Sequence, residues 1–278
     1  MIRDALIGTL RPIHFRGKLR MLGGIAPKRG ERTARVFGCD MRLDLGEAIQ
    51  RWIYLGAFEP EETAVVRDWL RPGMTFLDVG ANVGYFTLLG ASRVGRSGRV
   101  FAVEPSPYAY GRLSGTVRAN GLSQVRTFQM GLSSADGELP LYLPPESDGF
   151  HSPSMSAGWE NRVTVPVRRL DDCLDEWGVE TVDLVKMDVE GHESHILEGA
   201  SRSLASGRIR AVLCEFNDYW LRQQGSSPEA LYETLVRAGF VDRAGTPEFA
   251  PGGCETRFLV HRSAGPGEAP QPSGNRRP

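Results

Sequence analysis

Five short apolar runs set what this chain can fold into. "MTFLDV" (74–79), "RVFAVE" (99–104), "VRTFQM" (125–130), "VDLVKMDV" (182–189) and "RAVLCEF" (210–216) are hydrophobic at most consecutive positions rather than at every second one. A strand of that kind has to be covered on both faces, as in a parallel sheet layered between helices. Helical patterns fit between the runs at 83–94, 107–120 and 191–206. A further one at 228–239 opens on "SSPE", carries Pro228 in its first turn and stops at Gly239. "FVDRA" and "TRFLVHR", joined by a loop containing "PGG", read as a hairpin closing the sheet. The expected fold is α/β, a doubly wound sheet of about seven strands with an antiparallel strand near one end.

Two regions break the alternation. Residues 36–70 suggest a small strand pair and then helices, packed in front of the first core strand. Residues 137–172 hold two extended pieces, "GELPLYLP" and "RVTVPVRRL", around the polar loop "PESDGFHSPSMSAGWEN". They read as an inserted β-hairpin beside the ligand end of the sheet. The expected organisation is a basic arm and cap over 1–70, a main domain over 71–262 and a disordered Pro/Gly/Ser-rich tail over 263–278. Net charge is −1, which gives no overall pull toward nucleic acid or membrane, although residues 1–35 carry nine Lys and Arg against Asp4 and Glu31. The simplest reading of that arm is a solvated segment balancing an acidic body. Cys39, Cys173, Cys214 and Cys254 form no C-x-x-C pair, and Cys214 reads as a core thiol. With neither a leader peptide nor a long apolar span legible, the expected location is the cytoplasm.

"FLDVGANVGYF" (76–86) reads as strand, tight glycine turn and helix, with Gly80 and Gly84 allowing close approach of the backbone to a ligand. The pattern is not the dinucleotide fingerprint G-x-G-x-x-G. Asp78 at the strand end would repel a pyrophosphate and attract a cationic group. Glu104 ends the second strand, 26 residues after Asp78, placed to accept hydrogen bonds from both hydroxyls of a ribose. Turn, spacing and acidic tip together point to an adenosine-containing cofactor with a positive charge.

"FLDVGANVGYFTLL", "VFAVEPSPYAYGRL", "NGLSQV", "LDD" and "VDLVKMDVEGHESHILEGA" occur in that order between residues 50 and 217. As a set they resemble the FkbM-type S-adenosylmethionine-dependent methyltransferases. The resemblance implies a class I, Rossmann-like methyltransferase fold and S-adenosyl-L-methionine as cofactor. It implies that Asp78, Gly80 and Asn82 surround the methionine part and that Glu104 holds the ribose. Ala81, Gly84, Tyr85, Pro105, Ser106, Gly131, Leu132 and Asp188 complete the expected cofactor set. Characterised members of the family methylate hydroxyls of natural products and sugars. The chain departs from the usual pattern at Gly131, where alanine is common.

"DVEGHESH" (188–195) gathers the candidate catalytic residues. Alternation in the preceding strand puts Leu184, Lys186 and Asp188 on one face. A lysine there needs a partner, which Asp188 or Glu215 could supply. Indexing the following helix places Glu193 in its buried stripe, His192 at the margin and His195 on the solvent side. The motif is not H-E-x-x-H. Methylating a hydroxyl requires alignment and a group to take its proton. Asp188 is the first candidate, with Glu190 and His192 as alternates. No metal is required, though magnesium held by Asp188, Glu190 and Glu215 stays open. Candidates for acceptor contacts are Tyr54, His151, Ser152, Ser154 and Glu215, joined by Trp52, Phe58 and Trp159. The expected partner is a small hydroxylated molecule such as a glycoside or macrolide, with no nucleic acid and the oligomeric state open, a homodimer included. The competing readings are N-methylation of nucleic acid, against which "DVEG" stands where an N/D-P-P-aromatic turn would be, and a cofactor-binding scaffold without catalysis.

Overall fold

The structure, a computed structural model, describes Leu22, residues 26–143 and residues 161–264. It opens with an antiparallel hairpin of β1 (Glu31–Val36) and β2 (Cys39–Asp44), then α1 (Ala48–Leu55) and α2 (Pro60–Trp69). Gly56 ends α1 in the left-handed conformation, and Pro60 starts α2 where its missing N–H costs no helical bond. This is the strand pair and helices expected ahead of the sheet, and it forms a cap.

The main body runs β3 (Thr75–Val79), α3 (Tyr85–Val94), β4 (Arg99–Val103), α4 (Pro107–Ala119), β5 (Val125–Phe128), β6 (Gly131–Ser133), β7 (Gly137–Tyr142) and β8 (Arg162–Arg169). It continues through α5 (Leu170–Glu176), β9 (Leu184–Met187), α6 (Glu193–Gly199), α7 (Ser201–Ala205), β10 (Ala211–Asn217), α8 (Asp218–Gln223), α9 (Pro228–Arg237), β11 (Phe240–Asp242) and β12 (Cys254–His261). Seven strands form one sheet in the order β11–β12–β10–β9–β3–β4–β5. β10, β9, β3, β4 and β5 are parallel, and β12 pairs antiparallel to both β10 and β11. The sheet therefore has the doubly wound form with one reversed strand near its edge that the apolar runs imply.

Each core strand sends alternate side chains to opposite layers. Phe76 joins a cluster with Leu88 of α3, Leu113 of α4 and Ile53 and Trp69 of the cap. Leu77 and Val79 join Leu174 of α5, Ile196 of α6 and Leu231 of α9 on the other face. The cap is thus part of the first layer's core. It is also pinned by hydrogen bonding, since Trp69 donates its Nε1–H to the carbonyl of Asp183 at 2.9 Å. Among the described residues no helix is long and apolar enough to cross a membrane.

The inserted segment is more than a hairpin. β7 and β8 pair antiparallel as expected, but β6 adds in parallel to β8, with Gly131 opposite Val167, making a separate three-stranded sheet. Two further differences concern helices. α5 and α8 were not legible from periodicity because each covers fewer than two turns. The expected helix over 191–206 is broken at Ala200, whose backbone leaves helical geometry. Asp171, fully buried, caps the second piece by accepting the amide N–H groups of Arg202 and Ser203, both at 2.9 Å. A carboxylate at a new helix start satisfies donors that a continuous helix would not leave open.

α6 reaches the three-stranded sheet through Gly199, where an added Cβ would lie 2.1 Å from the carbonyl oxygen of Ser133. The substitution G199A is expected to cost about 1–3 kcal/mol by forcing two backbones apart, measured as a fall in the urea unfolding midpoint with an unchanged slope.

Candidate functional site

After β3 the chain crosses to one face of the sheet, and after β9 to the other. The crevice between these neighbouring strand ends is where a doubly wound sheet binds its ligand. A cavity of ≈ 390 Å³ lies there, within the range of small-molecule sites. It extends along the tips of β4, β3, β9 and β10 and is roofed by α1 and the loop before α2.

The turn after β3 forms one wall. Gly80, Ala81 and Asn82 line the cavity, and Asn82 adopts a left-handed backbone (φ 48°) that an asparagine tolerates. Gly80 lines the cavity and is also required for a contact within the protein. At φ +76°, an added Cβ would sit 2.0 Å from the carbonyl oxygen of Asp188, so this glycine lets the turn and the tip of β9 touch. Gly84 does not line the cavity; a Cβ there would meet Leu113 of α4 at 2.8 Å.

Glu104 at the tip of β4 is 4% exposed and faces the cavity. Its Oε2 accepts the amide N–H of Asn82 and its Oε1 that of Ser106, both at 2.8 Å. The carboxylate braces the glycine turn against the next strand, and each oxygen keeps a further lone pair for a ligand hydroxyl. Burial raises its pKa to about 7 against the opposing pull of those two amides. Ser106 itself lies off the cavity and caps α4 through Ala109. Asp78 also lies beneath the cavity floor rather than in its lining. It is 1% exposed, accepts a 2.6 Å bond from Thr87 Oγ1 and has its other oxygen buried with no partner. Burial lifts its carboxyl to about 6, partly offset by Lys186 and Thr87.

The end of the cavity beyond Glu104 is apolar. Pro105, Gly131 and Leu132 line it, together with Leu141, Val165 and Val167 of the three-stranded sheet. A methyl on Gly131 would come within 3.1 Å of Val167 Cγ1, so the glycine at this position makes room for β8. This accounts for the departure noted in the sequence.

The opposite end is charged. Lys186, paired in register with Asp78, is 4% exposed and lies 4.5 Å from the centre of the Phe86 ring. Its Nζ donates to Asp188 Oδ2 at 3.0 Å and sits 3.9 Å from Glu59 Oε2. Burial opposes the ammonium charge, but Asp188, Glu59 and Asp78 outweigh it and hold the pKa above its ordinary value. The expected partner Asp188 is confirmed; Glu215 makes no ion pair with Lys186, and Glu59 takes that place. Glu59, Glu190 and Glu215 all line this end, and burial, reinforced by neighbouring carboxylates, raises all three carboxyl groups above their usual range. Glu190 holds a left-handed backbone (φ 52°), as does Glu59 (φ 37°). Neither residue type favours that conformation, and strain of this sort gathers at functional sites. Glu59 was missed because nothing in "FEPEET" announces a left-handed turn.

Glu193 is buried as expected and closes the "DVEG" turn, its Oε1 accepting from the amides of Val189 (3.1 Å) and Gly191 (3.4 Å). Burial raises its carboxyl to about 7. His192 lines the cavity, with Nε2 3.1 Å from Ser133 Oγ. Burial and then the neighbouring His195 lower its pKa to about 4, so the ring is neutral near pH 7. His195 is not on the far side of the helix. Its ring stacks on His192 with centroids 4.5 Å apart, because three helical steps leave only about 60° between them. Among the described residues no group of three or more His, Cys, Asp or Glu is arranged to hold a metal ion. Tyr85 lines the wall, its hydroxyl 3.1 Å from Thr63 Oγ1 of the cap. Tyr54, expected near the acceptor, is 4% exposed in the core, whereas Trp52, also expected there, lines the cavity together with Ile53. Phe58 lines it as expected. His151, Ser152, Ser154 and Trp159 fall outside the described residues.

Known proteins carry related sequences. The methyltransferase SdnD of Sordaria araneosa is 35% identical over 153 residues, 44% of this chain and 59% of that protein. The 2-O-methyltransferase NoeI of Sinorhizobium fredii is 26% identical over 181 residues, 59% of this chain and 72% of NoeI. The 31-O-demethyl-FK506 methyltransferase FkbM of Streptomyces tacrolimicus is 28% identical over 182 residues, 54% of this chain and 67% of FkbM. Residues 78–241, from the aspartate of the glycine turn to β11, match the methyltransferase FkbM domain. This chain belongs to the methyltransferase FkbM domain family.

Proposed function

We propose that the chain is an S-adenosylmethionine-dependent O-methyltransferase acting on a hydroxyl of a small polyhydroxylated molecule, such as a glycoside or a macrolide-type product. The observation that carries this reading is the division of one cavity into three parts. An apolar pocket under Leu141 and Val167 suits a purine. Glu104, braced by two amides, suits a ribose diol. A carboxylate-rich end around Lys186 suits a sulfonium and an alcohol. The names of NoeI and FkbM specify O-methylation by those relatives, and that chemistry is the part taken over here.

The cofactor, when bound, supplies a methyl group already activated on a sulfonium. What the protein adds is position and a place for the proton. Glu104 fixes the ribose, and Gly80, Ala81 and Asn82 shape the turn around the amino-acid part, with Asp78 holding the turn's helix from below through Thr87. Asp188 is the first choice for taking the hydroxyl proton. Lys186 holds one of its oxygens in a fixed direction, and the second is left for the acceptor. Glu190 is the next choice. His192 is third, since its Nε2 is directed at Ser133.

Titration calorimetry of the full chain with S-adenosylhomocysteine tests the cofactor reading. Binding is expected in the micromolar range, and its absence would refute the proposal. E104A is expected to weaken that binding at least tenfold, because it removes both the diol acceptor and the brace on the turn. For the transfer step, methyl-labelled S-adenosylmethionine can be offered with a panel of methyl glycosides and macrolides. D188N is expected to lower label incorporation about 100-fold or more while S-adenosylhomocysteine binds within about threefold of wild type; full incorporation by D188N would remove Asp188 as the base.

A pH effect also follows from the cavity carboxylates. Asp78, Glu104 and Glu193 have folded-state values near 6, 7 and 7, above those of an unfolded chain. The folded protein thus binds more protons than the unfolded chain in this range, and their stabilising contribution, complete at low pH, is lost as pH rises through 6 to 7. His192, lowered to about 4, acts in the opposite sense as pH rises from 4, but it is one group against these three and the raised Glu59, Glu190 and Glu215. The melting temperature of the ligand-free protein is therefore expected to fall between about pH 5 and about pH 8, as read by calorimetry; a rise across that interval would contradict these assignments.

A further inference from the structure

The charged end of the cavity contains a residue that belongs neither to the matched domain nor to the motifs around it. Glu59 lies in the cap, ahead of residues 78–241. Its backbone is held in place from several sides. Thr63 returns two bonds to its carbonyl, from N at 2.9 Å and Oγ1 at 2.6 Å. The preceding Phe58 packs edge-on against Tyr85 with ring centres 5.2 Å apart, and Tyr85 in turn meets Thr63. Such a turn places a carboxylate over the tips of β9 and β10 at the expense of a left-handed glutamate.

Lys186 is the one cation among the described residues lining the cavity. It gives its hydrogen bond to Asp188, and Glu59 at 3.9 Å is an ion pair without a hydrogen bond. The lysine's hydrogen bond therefore goes to Asp188, while Glu59, more loosely paired with the same ammonium, also faces whatever occupies this end. Glu104 lies at the tip of β4, two strands from β9 and three from β10, or roughly 10–14 Å away. A nucleoside held by its ribose at Glu104 presents its sulfur toward the Glu59 end.

We infer that Glu59 is the residue by which this protein discriminates the cationic sulfonium of S-adenosylmethionine from the neutral thioether of S-adenosylhomocysteine, favouring entry of the methyl donor and release of its product. The inference rests on the function proposed above. The carboxylate makes this distinction electrostatically: an opposite charge within about 4–6 Å shifts such equilibria by a factor of ten or more, while the two ligands are alike in adenine, ribose and amino-acid groups. The groups facing Glu59 are Lys186 of β9, Asp188 just beyond it, Glu190 of the following turn, Glu215 of β10 and Glu62 of α2. Since burial and these acids raise its carboxyl, binding of a cation near neutral pH should expel protons, and binding of the neutral product should expel fewer.

The test is calorimetric titration of the full chain with S-adenosylmethionine and, separately, S-adenosylhomocysteine. Wild type is compared with E59Q, E59D and E59K at about pH 8.5, where more of the glutamate is ionised. E59Q is expected to lose about tenfold in affinity for S-adenosylmethionine and less than about twofold for S-adenosylhomocysteine, and E59K to lose more of the former. E59D, which keeps the charge, should retain most of the preference. At neutral pH, titrations in two buffers of different ionisation enthalpy should show greater proton release with the methyl donor than with the product, and E59Q should shrink that difference. Equal weakening of both ligands in E59Q, or no change in either, would overturn the inference and leave the cofactor reading standing. Failure of both ligands to bind wild type would overturn both. Retained binding of S-adenosylhomocysteine by E59Q also shows that the variant is folded.

Discussion

One buried ammonium organises this molecule. Lys186 sits at the centre of a seven-stranded sheet, opposite Asp78 in register, under the ring of Phe86 and between Asp188 and Glu59. Such a group is stable only if anions converge on it. The anions come from β3, from β9 and from the cap, three parts of the chain that are distant in sequence. Satisfying this one charge therefore brings together the glycine turn, the "DVEG" turn and the N-terminal helices, and the cavity is the space left between them. The direct contact of Gly80 with the carbonyl of Asp188 fixes the spacing of the two turns.

The carboxylates around that lysine outnumber it, and their environments divide their work. Glu104 and Glu193 spend oxygens on backbone amides and hold turns in shape. Asp78 does the same for α3 through Thr87. Asp188, Glu190, Glu215 and Glu59 line open space. Burial disfavours charge on Glu59, Glu190 and Glu215, and a cation beside them would favour it.

Much of this was legible in the chain. Consecutive apolar residues dictated buried parallel strands, and Asp78, Glu104 and Asp188 fell at or next to strand ends because the apolar runs stop there. Sequence reasoning failed where geometry is not periodic. The side of α6 occupied by His195 was misjudged by treating a 300° step as opposite rather than adjacent. Gly84 was read as clearance for a ligand, whereas Leu113 occupies the space beside it; Gly80 lines the cavity and also meets the carbonyl of Asp188. Tyr54 was placed at the cavity beside Trp52 and lies in the core instead, because α1 is too short for its buried stripe to be unambiguous. Glu59 depends on a left-handed turn before a proline, which has no compositional signal, and the third strand of the small sheet is only three residues long.

The attachment of the cap bears on how such a protein can change. Residues 31–70 precede the matched domain, yet Ile53 and Trp69 share a core with Phe76 and Leu88, and the Trp69 indole bonds to the backbone entering β9. The cap is therefore not an independent module. A recombination joint placed between α2 and β3 would cut through a continuous core and leave the carbonyl of Asp183 without its donor. Trp52 and Glu59 face the cavity and stand outside that core, so the inner surface of the cap can change by point substitution while the seam beneath it stays intact.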